Sequence, residues 1–396
     1  VAARTRVGVA AGRAAAWASR RLGRGEGAVI SGATARFIAP DAWRDLAAGR
    51  RIVLVSGTNG KTTTTAMTAA ALSALGPAAT NATGANMPNG IVGCLMADPA
   101  PVAALEVDEA VLPAAVRDLS PEVVVLLNLS RDQLDRYHEV RRVADLWRDA
   151  LGGSKARVVA NADDPLVVWA ADTADTMWVA GGSGWRLDAS TCPACGGAIS
   201  FDTSGDSWHC TKCDYARPPV ERAEFPLSLP LPGRFNRANA LSALAAARLL
   251  GVSADDAAPR IASVQSIAGR YATVRRQNTS YRLLLAKNPA GWQEILDLLD
   301  PARPAVLALN ARDEDGIDPS WIYDVPFERL AGMKVVCTGE RGADLSVRLA
   351  YAGVDHRFER TYEGAFDAAG AMGSEVDVVG NYSAFQQMRR VMARGW

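Results

Sequence analysis

The 396-residue chain is long enough for two or three domains, and its 49% apolar and 22% charged content is that of an ordinary soluble globular protein. Its 43 basic and 43 acidic side chains cancel, so overall charge gives no argument for nucleic acid, and no apolar run approaches the length of a bilayer-spanning helix. Six cysteines are too few for a disulfide scaffold in a chain of this size; four of them fall in C-x-x-C pairs, which fits a reducing compartment and metal better.

Residues 1–24 are Ala-rich and carry Arg4, Arg6, Arg13, Arg20, Arg21 and Arg24 with no acid. The arginines interrupt any apolar core, which argues against a signal peptide. The stretch reads as a basic amphipathic helix. Such a helix either rests on an anionic membrane surface or packs on the first domain with its basic face in water. Glycines at 23, 25, 27 and 32 mark turns, and a short helix near Asp41 to Ala48 leads into the first strand.

That strand is the apolar run Ile52 to Val55. It is followed by Gly57-Thr-Asn-Gly60 and then by Lys61-Thr62-Thr63, which open a helix running to about Leu75. Strand, glycine turn and helix N-terminus make an anion site: backbone N–H groups and the helix dipole favour phosphate, and lysine adds a point charge. Thr62 stands where Ser or Thr places a hydroxyl on magnesium in a Walker loop. The loop is shorter than G-x-x-x-x-G-K-[ST], whose first glycine would fall at Val55.

Strand and helix then alternate. Val102 to Val107 ends on acids, with Glu106 followed by Asp108 and Glu109; Val123 to Leu127 is a buried parallel strand; Val158 to Asn161 and Met177 to Ala180 repeat the pattern. This predicts a doubly wound α/β sheet, with the acids and Asn128 facing the same crevice as Lys61. Cys192-Pro-Ala-Cys195 and Cys210-Thr-Lys-Cys213 break the pattern. Two such knuckles supply four thiolates for a closed tetrahedral site, best suited to structural zinc; a thioredoxin-like redox pair is the weaker reading, and His209 is a spare ligand. Cys94 and Cys337 read as buried small residues. Leu231-Pro-Gly-Arg-Phe-Asn-Arg-Ala-Asn-Ala-Leu241 opens a helix closed by Gly251, on which Asn236 and Asn239 could read one ligand together or serve in capping. A second α/β unit follows a boundary near Ile267 to Arg270. Its strands are expected at Leu283 to Ala286, Ala305 to Leu309, Val335 to Val336 and Val376 to Val379, with a terminal helix from Ala384 to Ala393.

GTNGKTTT at 57–64, the acidic strand end at Glu106, NLSRDQLDRYHE at 128–139 and PGRFNRANA at 232–240 together resemble the Mur ligase superfamily, which includes folylpolyglutamate synthase. The four-cysteine insertion, Gln133 where many members have histidine, and DGIDPSWIYDVPFE at 315–328 are similar to its MurT-type branch. The resemblance spans nearly the whole chain from residue 50. The loop's early position leads to the expectation that no nucleotide-sugar domain precedes it and that the substrate is lipid-linked.

The resemblance implies an extension at 1–50, a Mur ligase central ATP-binding domain at 51–266 with a zinc ribbon at about 188–218, and a C-terminal Rossmann-like ligase domain at 267–396. It implies ATP-dependent amidation, through an acyl phosphate, of the D-glutamate α-carboxyl in the lipid II stem peptide, with ammonia supplied by a GatD-type glutaminase partner. The location would be cytoplasmic, on the inner face of the membrane. Gly57, Thr58, Asn59, Gly60, Lys61, Thr62 and Thr63 would hold the ATP phosphates, Thr62 and Glu106 magnesium, and Asn236 and Asn239 the adenine side. Asn128, Asp132, Asp135 and Arg136 match a family motif near phosphate and metal. Asp318, favoured over Asp315, would orient the partner's catalytic histidine, with Trp321 and Tyr323 at the interface. Many members hold a second magnesium with a carbamoylated lysine, but this chain has no lysine between Lys61 and Lys155. Two other readings are a ligase that adds an amino acid and a zinc-ribbon nucleic-acid binder; zero net charge and few ribbon aromatics weigh against the second.

Overall fold

The structure, a computed structural model, describes residues 2–23, 27–81, 84–132, 139–180, 185–202, 207–220, 228–265 and 271–394. It divides into two compact units, Val1–Leu129 with Val140–Gln265, and Ser130–Glu139 with Ser266–Trp396.

The first unit begins with helices α1 (Ala3–Arg21), α2 (Ala28–Ile38) and α3 (Ala42–Ala47). In α1 the buried positions are Thr5, Gly8, Gly12, Ala16 and Ser19, small residues spaced along one helical face. They let α2 approach closely: a Cβ on Gly12 would stand 2.5 Å from the carbonyl oxygen of Ser31. The sheet follows as β1 (Arg51–Ser56), α4 (Lys61–Leu72), β2 (Ala78–Thr80), α5 (Pro88–Ala97), β3 (Val102–Glu106), α6 (Leu112–Leu119), β4 (Val123–Leu126), α7 (Val140–Gly152), β5 (Arg157–Asn161), α8 (Pro165–Ala171) and β6 (Thr176–Val179). All its pairings are parallel, in the spatial order β2-β3-β1-β4-β5-β6. Both faces are covered, which is why the strands read as continuous apolar runs. Ile52 and Leu54 share one core with Leu105, Val124, Leu126 and Trp147, while Val53 and Val55 are equally buried and point by alternation to the other face. A small antiparallel ribbon, β7 (Ile199–Phe201) and β8 (Trp208–Cys210), precedes α9 (Arg234–Leu249) and α10 (Ala254–Ala262), which both pack with α4.

The second unit runs β9 (Tyr271–Arg276), β10 (Thr279–Leu285), α11 (Pro289–Leu296), β11 (Ala305–Ala308), β12 (Val335–Thr338), α12 (Gly342–Tyr351), β13 (His356–Phe358), α13 (Tyr362–Gly370), β14 (Glu375–Gly380) and α14 (Tyr382–Arg394). Its strand order is β13-β12-β11-β14-β10-β9, parallel except for β9, the antiparallel edge. Trp292 and Phe327 fill one face and Phe366, Phe385 and Met388 the other. A forked Arg282–Asp377 pair, at 2.7 and 2.8 Å, ties β10 to β14 where Asp377 is fully buried.

Ser130–Glu139 groups with this second unit rather than with the sheet that precedes it in sequence. Asp132 forms an ion pair with Lys287, and Arg131 one with Asp324 at 3.2 Å. Gln133, Asp135 and Arg136 lie outside the described residues. Among the described residues, no helix is long and apolar enough to cross a membrane.

Candidate active site

The neighbouring strands β3, β1 and β4 deliver their carboxyl ends to one edge of the first sheet. Register places Val55 beside Glu106 and Ser56 beside Leu126, so the loop 57–60 emerges between the acid and Asn128. Open α/β sheets bind ligands at such an edge. Asn128 holds the loop from one side: its backbone oxygen accepts from Thr58 N at 2.9 Å, its Oδ1 accepts from Asn59 N at 2.9 Å, and its Nδ2 donates to Asn59 O at 3.0 Å. Leu129 N donates to Asp164 Oδ2 at 2.7 Å, and Asp164 also caps α8; burial pushes its carboxyl up to about 6.

Lys61 opens α4 and is 4% exposed. Its Nζ donates to Gly57 O at 2.6 Å and pairs with Glu109 Oε2 at 2.9 Å. Burial acts to lower its pKa, but Glu109, Glu106 and Asp108 outweigh it, so the pKa is raised and the ammonium stays charged. Thr62 Oγ1 donates to Glu106 Oε2 at 2.7 Å. Glu106, 1% exposed, also accepts from Asn86 Nδ2 at 3.1 Å, and its backbone is clasped by Asn81 at 2.8 Å in both directions. Thr58 and Thr63 are buried beside this group.

Gly60 joins loop and helix with φ of +85°. A Cβ there would stand 2.6 Å from Asn239 Oδ1, so Asn239 already occupies the space behind the loop. Asn236 and Asn239 are each 6% exposed, inside α9 rather than at its cap; Asn236 Nδ2 donates to Pro232 O at 2.6 Å. Gly60→Ala combines a strained φ, about 1–2 kcal/mol, with this clash. It should therefore destabilise the first unit, read as a lower melting temperature than wild type.

Sequence reading had placed Lys61, Thr62, Glu106 and Asn128 in one crevice, and the structure brings them together. It missed Glu109 as the partner of Lys61 and Asn81 and Asn86 as supports of Glu106. The acid run after β3 was the available signal for Glu109; Asn81 and Asn86 follow a strand too short to read.

The four ribbon cysteines converge, with their Sγ atoms all within 4.8 Å of one another. Cys192 lies 3.7 Å from Cys213 and Cys195 3.5 Å from Cys210. The ribbon is fastened to the first unit by Trp208 Nε1 donating to Ala162 O at 2.9 Å, Tyr215 OH to Pro165 O at 2.6 Å, and an Arg217–Asp163 pair at 2.8 Å. His209 is exposed.

In the second unit the two loop acids separate by environment. Asp315 is 5% exposed and accepts from both the backbone N, at 2.9 Å, and the hydroxyl of Ser383; burial raises its pKa. Asp318 is exposed and its carboxylate accepts from Ser320 N at 2.8 Å and Ser320 Oγ at 2.9 Å. Near it in sequence, Ile317 and Tyr323 are 65% and 57% exposed.

Residues 55–247 match the Mur ligase middle domain and residues 285–385 the MurT ligase C-terminal family. The chain is 30% identical over 379 residues to the MurT subunit of lipid II isoglutaminyl synthase (glutamine-hydrolyzing) from Staphylococcus aureus (strain N315), covering 85% of this chain and 86% of that one. It is 29% identical over 393 residues to the same subunit from Streptococcus pneumoniae, covering 88% and 87%. Among solved structures, a pseudomurein peptide ligase type C from Methanothermus fervidus shares the fold, with a TM-score of 0.66 at 19% identity over 87% of this chain and 78% of that one. The chain belongs to the Mur ligase family, in its MurT branch.

Proposed function

We propose that this chain is the ATP-dependent ligase subunit of a lipid II isoglutaminyl synthase. It would convert the D-glutamate α-carboxyl of the lipid II stem peptide to the amide of D-isoglutamine, with ammonia from a GatD-type glutaminase. The observation that carries this reading is likeness to curated MurT subunits over 85% of the chain, running through both the phosphate loop and the second unit. Residues 51–266 would be the ATP-binding domain and 267–396 the ligase domain that docks the glutaminase.

The site's residues fit the roles. Gly57 to Thr63 form a loop with its backbone already held by Asn128, and Asn236 and Asn239 stand behind it for the adenine side. Lys61 would exchange Glu109 for the β/γ oxygens of ATP. The hydroxyl of Thr62 and the carboxylate of Glu106 are hard oxygen donors side by side, the donor set magnesium takes. Magnesium would supply charge neutralisation at the transferring phosphoryl group. The carboxyl of the substrate would attack the γ-phosphorus, releasing ADP; ammonia then adds to the acyl carbon and phosphate leaves. Sustained ADP release should require lipid II and ammonium together, lipid II alone giving at most a single turnover. Release that requires a free amino acid instead would favour an amino-acid-adding ligase.

Cys192, Cys195, Cys210 and Cys213 would hold structural zinc. The sulfur spacings fit a tetrahedron with Zn–S of about 2.3 Å, whose edges are about 3.8 Å. One zinc per chain is expected by elemental analysis. Cys195→Ser should lose it and open the ribbon to protease, since metal supplies most of the folding energy of such small sites.

The acceptor is lipid-borne on this reading, so the enzyme would work in the cytoplasm at the inner face of the membrane.

A further inference from the structure

Large apolar side chains left in water concentrate on the first two helices of the first unit. Of sixteen such side chains among the described residues, six fall between residues 7 and 37: Val7, Trp17, Leu22, Val29, Ile30 and Phe37. Phe37 is 88% exposed and Trp17 57%. Single exposures are ordinary, but this density marks an interaction surface.

The cause lies in how the two helices pair. α1 turns Gly8, Gly12 and Ala16 inward, so its outer stripe is Val7, Ala10, Ala14 and Trp17, stepping three or four residues at a time. α2 turns Ser31, Gly32 and Ala35 inward and leaves Val29, Ile30 and Phe37 outside. Arg6, Arg13, Arg20 and Arg21 are exposed along the same α1, and the Arg21 guanidinium sits 5.1 Å over the Trp17 ring. Residues 1–38 hold seven arginines against one acid, Glu26.

We infer that the outer faces of α1 and α2 dock on an anionic lipid bilayer. Aromatic and aliphatic side chains enter the interface while arginines meet lipid phosphates. A protein partner would have to supply a matching field of acids around an apolar patch. An anionic leaflet presents negative charge and hydrocarbon together, at the depth Trp and Phe prefer. The inference rests on the proposed function for its reason, a lipid-borne substrate, but its test uses no substrate.

The full chain is co-sedimented with vesicles of phosphatidylcholine alone or with added phosphatidylglycerol. Binding should be at least about tenfold stronger to the anionic vesicles and weaken as salt is raised. Trp17→Ser with Phe37→Ser should lose about tenfold of that binding, and Arg6→Glu with Arg21→Glu should abolish the preference for anionic lipid. Both variants should keep the wild-type melting temperature and, with lipid II dispersed in detergent, ammonium-dependent ADP release. If the apolar pair melts early, the arginine pair, on exposed side chains, carries the test alone. Equal binding to both vesicle types, or unchanged binding by the arginine variant, overturns the inference. So does self-association that Phe37→Ser abolishes, which assigns the patch to a second copy. Vesicle binding without amidation would leave the docking surface standing and remove the proposed function.

Discussion

Lys61→Ala should abolish ATP turnover, with kcat for ADP release down by at least about 10³-fold. The lysine lies in a buried group with Glu106 and Glu109 and pairs with Glu109 at 2.9 Å. Its removal takes away the charge that would meet the phosphates and leaves carboxylates crowded at the sheet edge. Breaking a buried pair of this kind costs about 3 kcal/mol, so the melting temperature should also fall. Zinc content should not, because the ribbon is fastened through Trp208, Tyr215 and Arg217, remote in sequence from the loop. Parallel assays of ADP release, melting and bound zinc separate a chemical loss from an unfolded first unit, which would lose zinc as well.

Asp318→Asn should lower glutamine-dependent amidation by about 10³-fold and leave ammonium-dependent amidation within twofold of wild type. The Asp318 carboxylate is exposed on a loop and held from one side by Ser320, a geometry that fixes its position while leaving it open to a partner. A glutaminase histidine that loses its orienting carboxylate adopts the wrong tautomer; ammonia supplied from solution bypasses that step. Asp315→Asn is the contrasting variant. Asp315 is buried against the first turn of α14, so its change should lower stability and reduce both ammonia routes together. Equal loss by Asp318→Asn with either ammonia source would remove the assignment.

The strand, glycine loop and helix at 51–72 were legible because an apolar run, two glycines and a helical run follow one another in order. The long apolar strands β1, β3, β4 and β5 were legible because burial on both faces leaves no polar alternation to obscure them. β2 was not: Ala78–Thr80 offers three small residues with no periodicity. β9 and β13 lie at the two edges of the second sheet, where one flank is unpaired and side chains stay half in water. The grouping of Ser130–Glu139 with the second unit, to which the Asp132–Lys287 pair belongs, joins residues 155 apart in sequence, which no local pattern encodes. Asn236 and Asn239 could be read as ligand contacts or as caps; the N-cap of α9 is Gly233 and both asparagines are buried inside the helix, which excludes capping.

The most direct test of the account is the mass of the lipid II stem peptide after incubation with this chain, ATP and nitrogen-15 ammonium. The account predicts that ordinary ammonium gives a product lighter than the substrate by the difference between OH and NH2, that nitrogen-15 ammonium raises this product's mass by one neutron and so nearly restores the substrate's mass, with the label on the α-carboxamide of D-isoglutamine, and that one ADP forms for each amide. An unchanged stem peptide, with ammonium or with glutamine and a glutaminase present, or one heavier by an amino-acid residue, would contradict it.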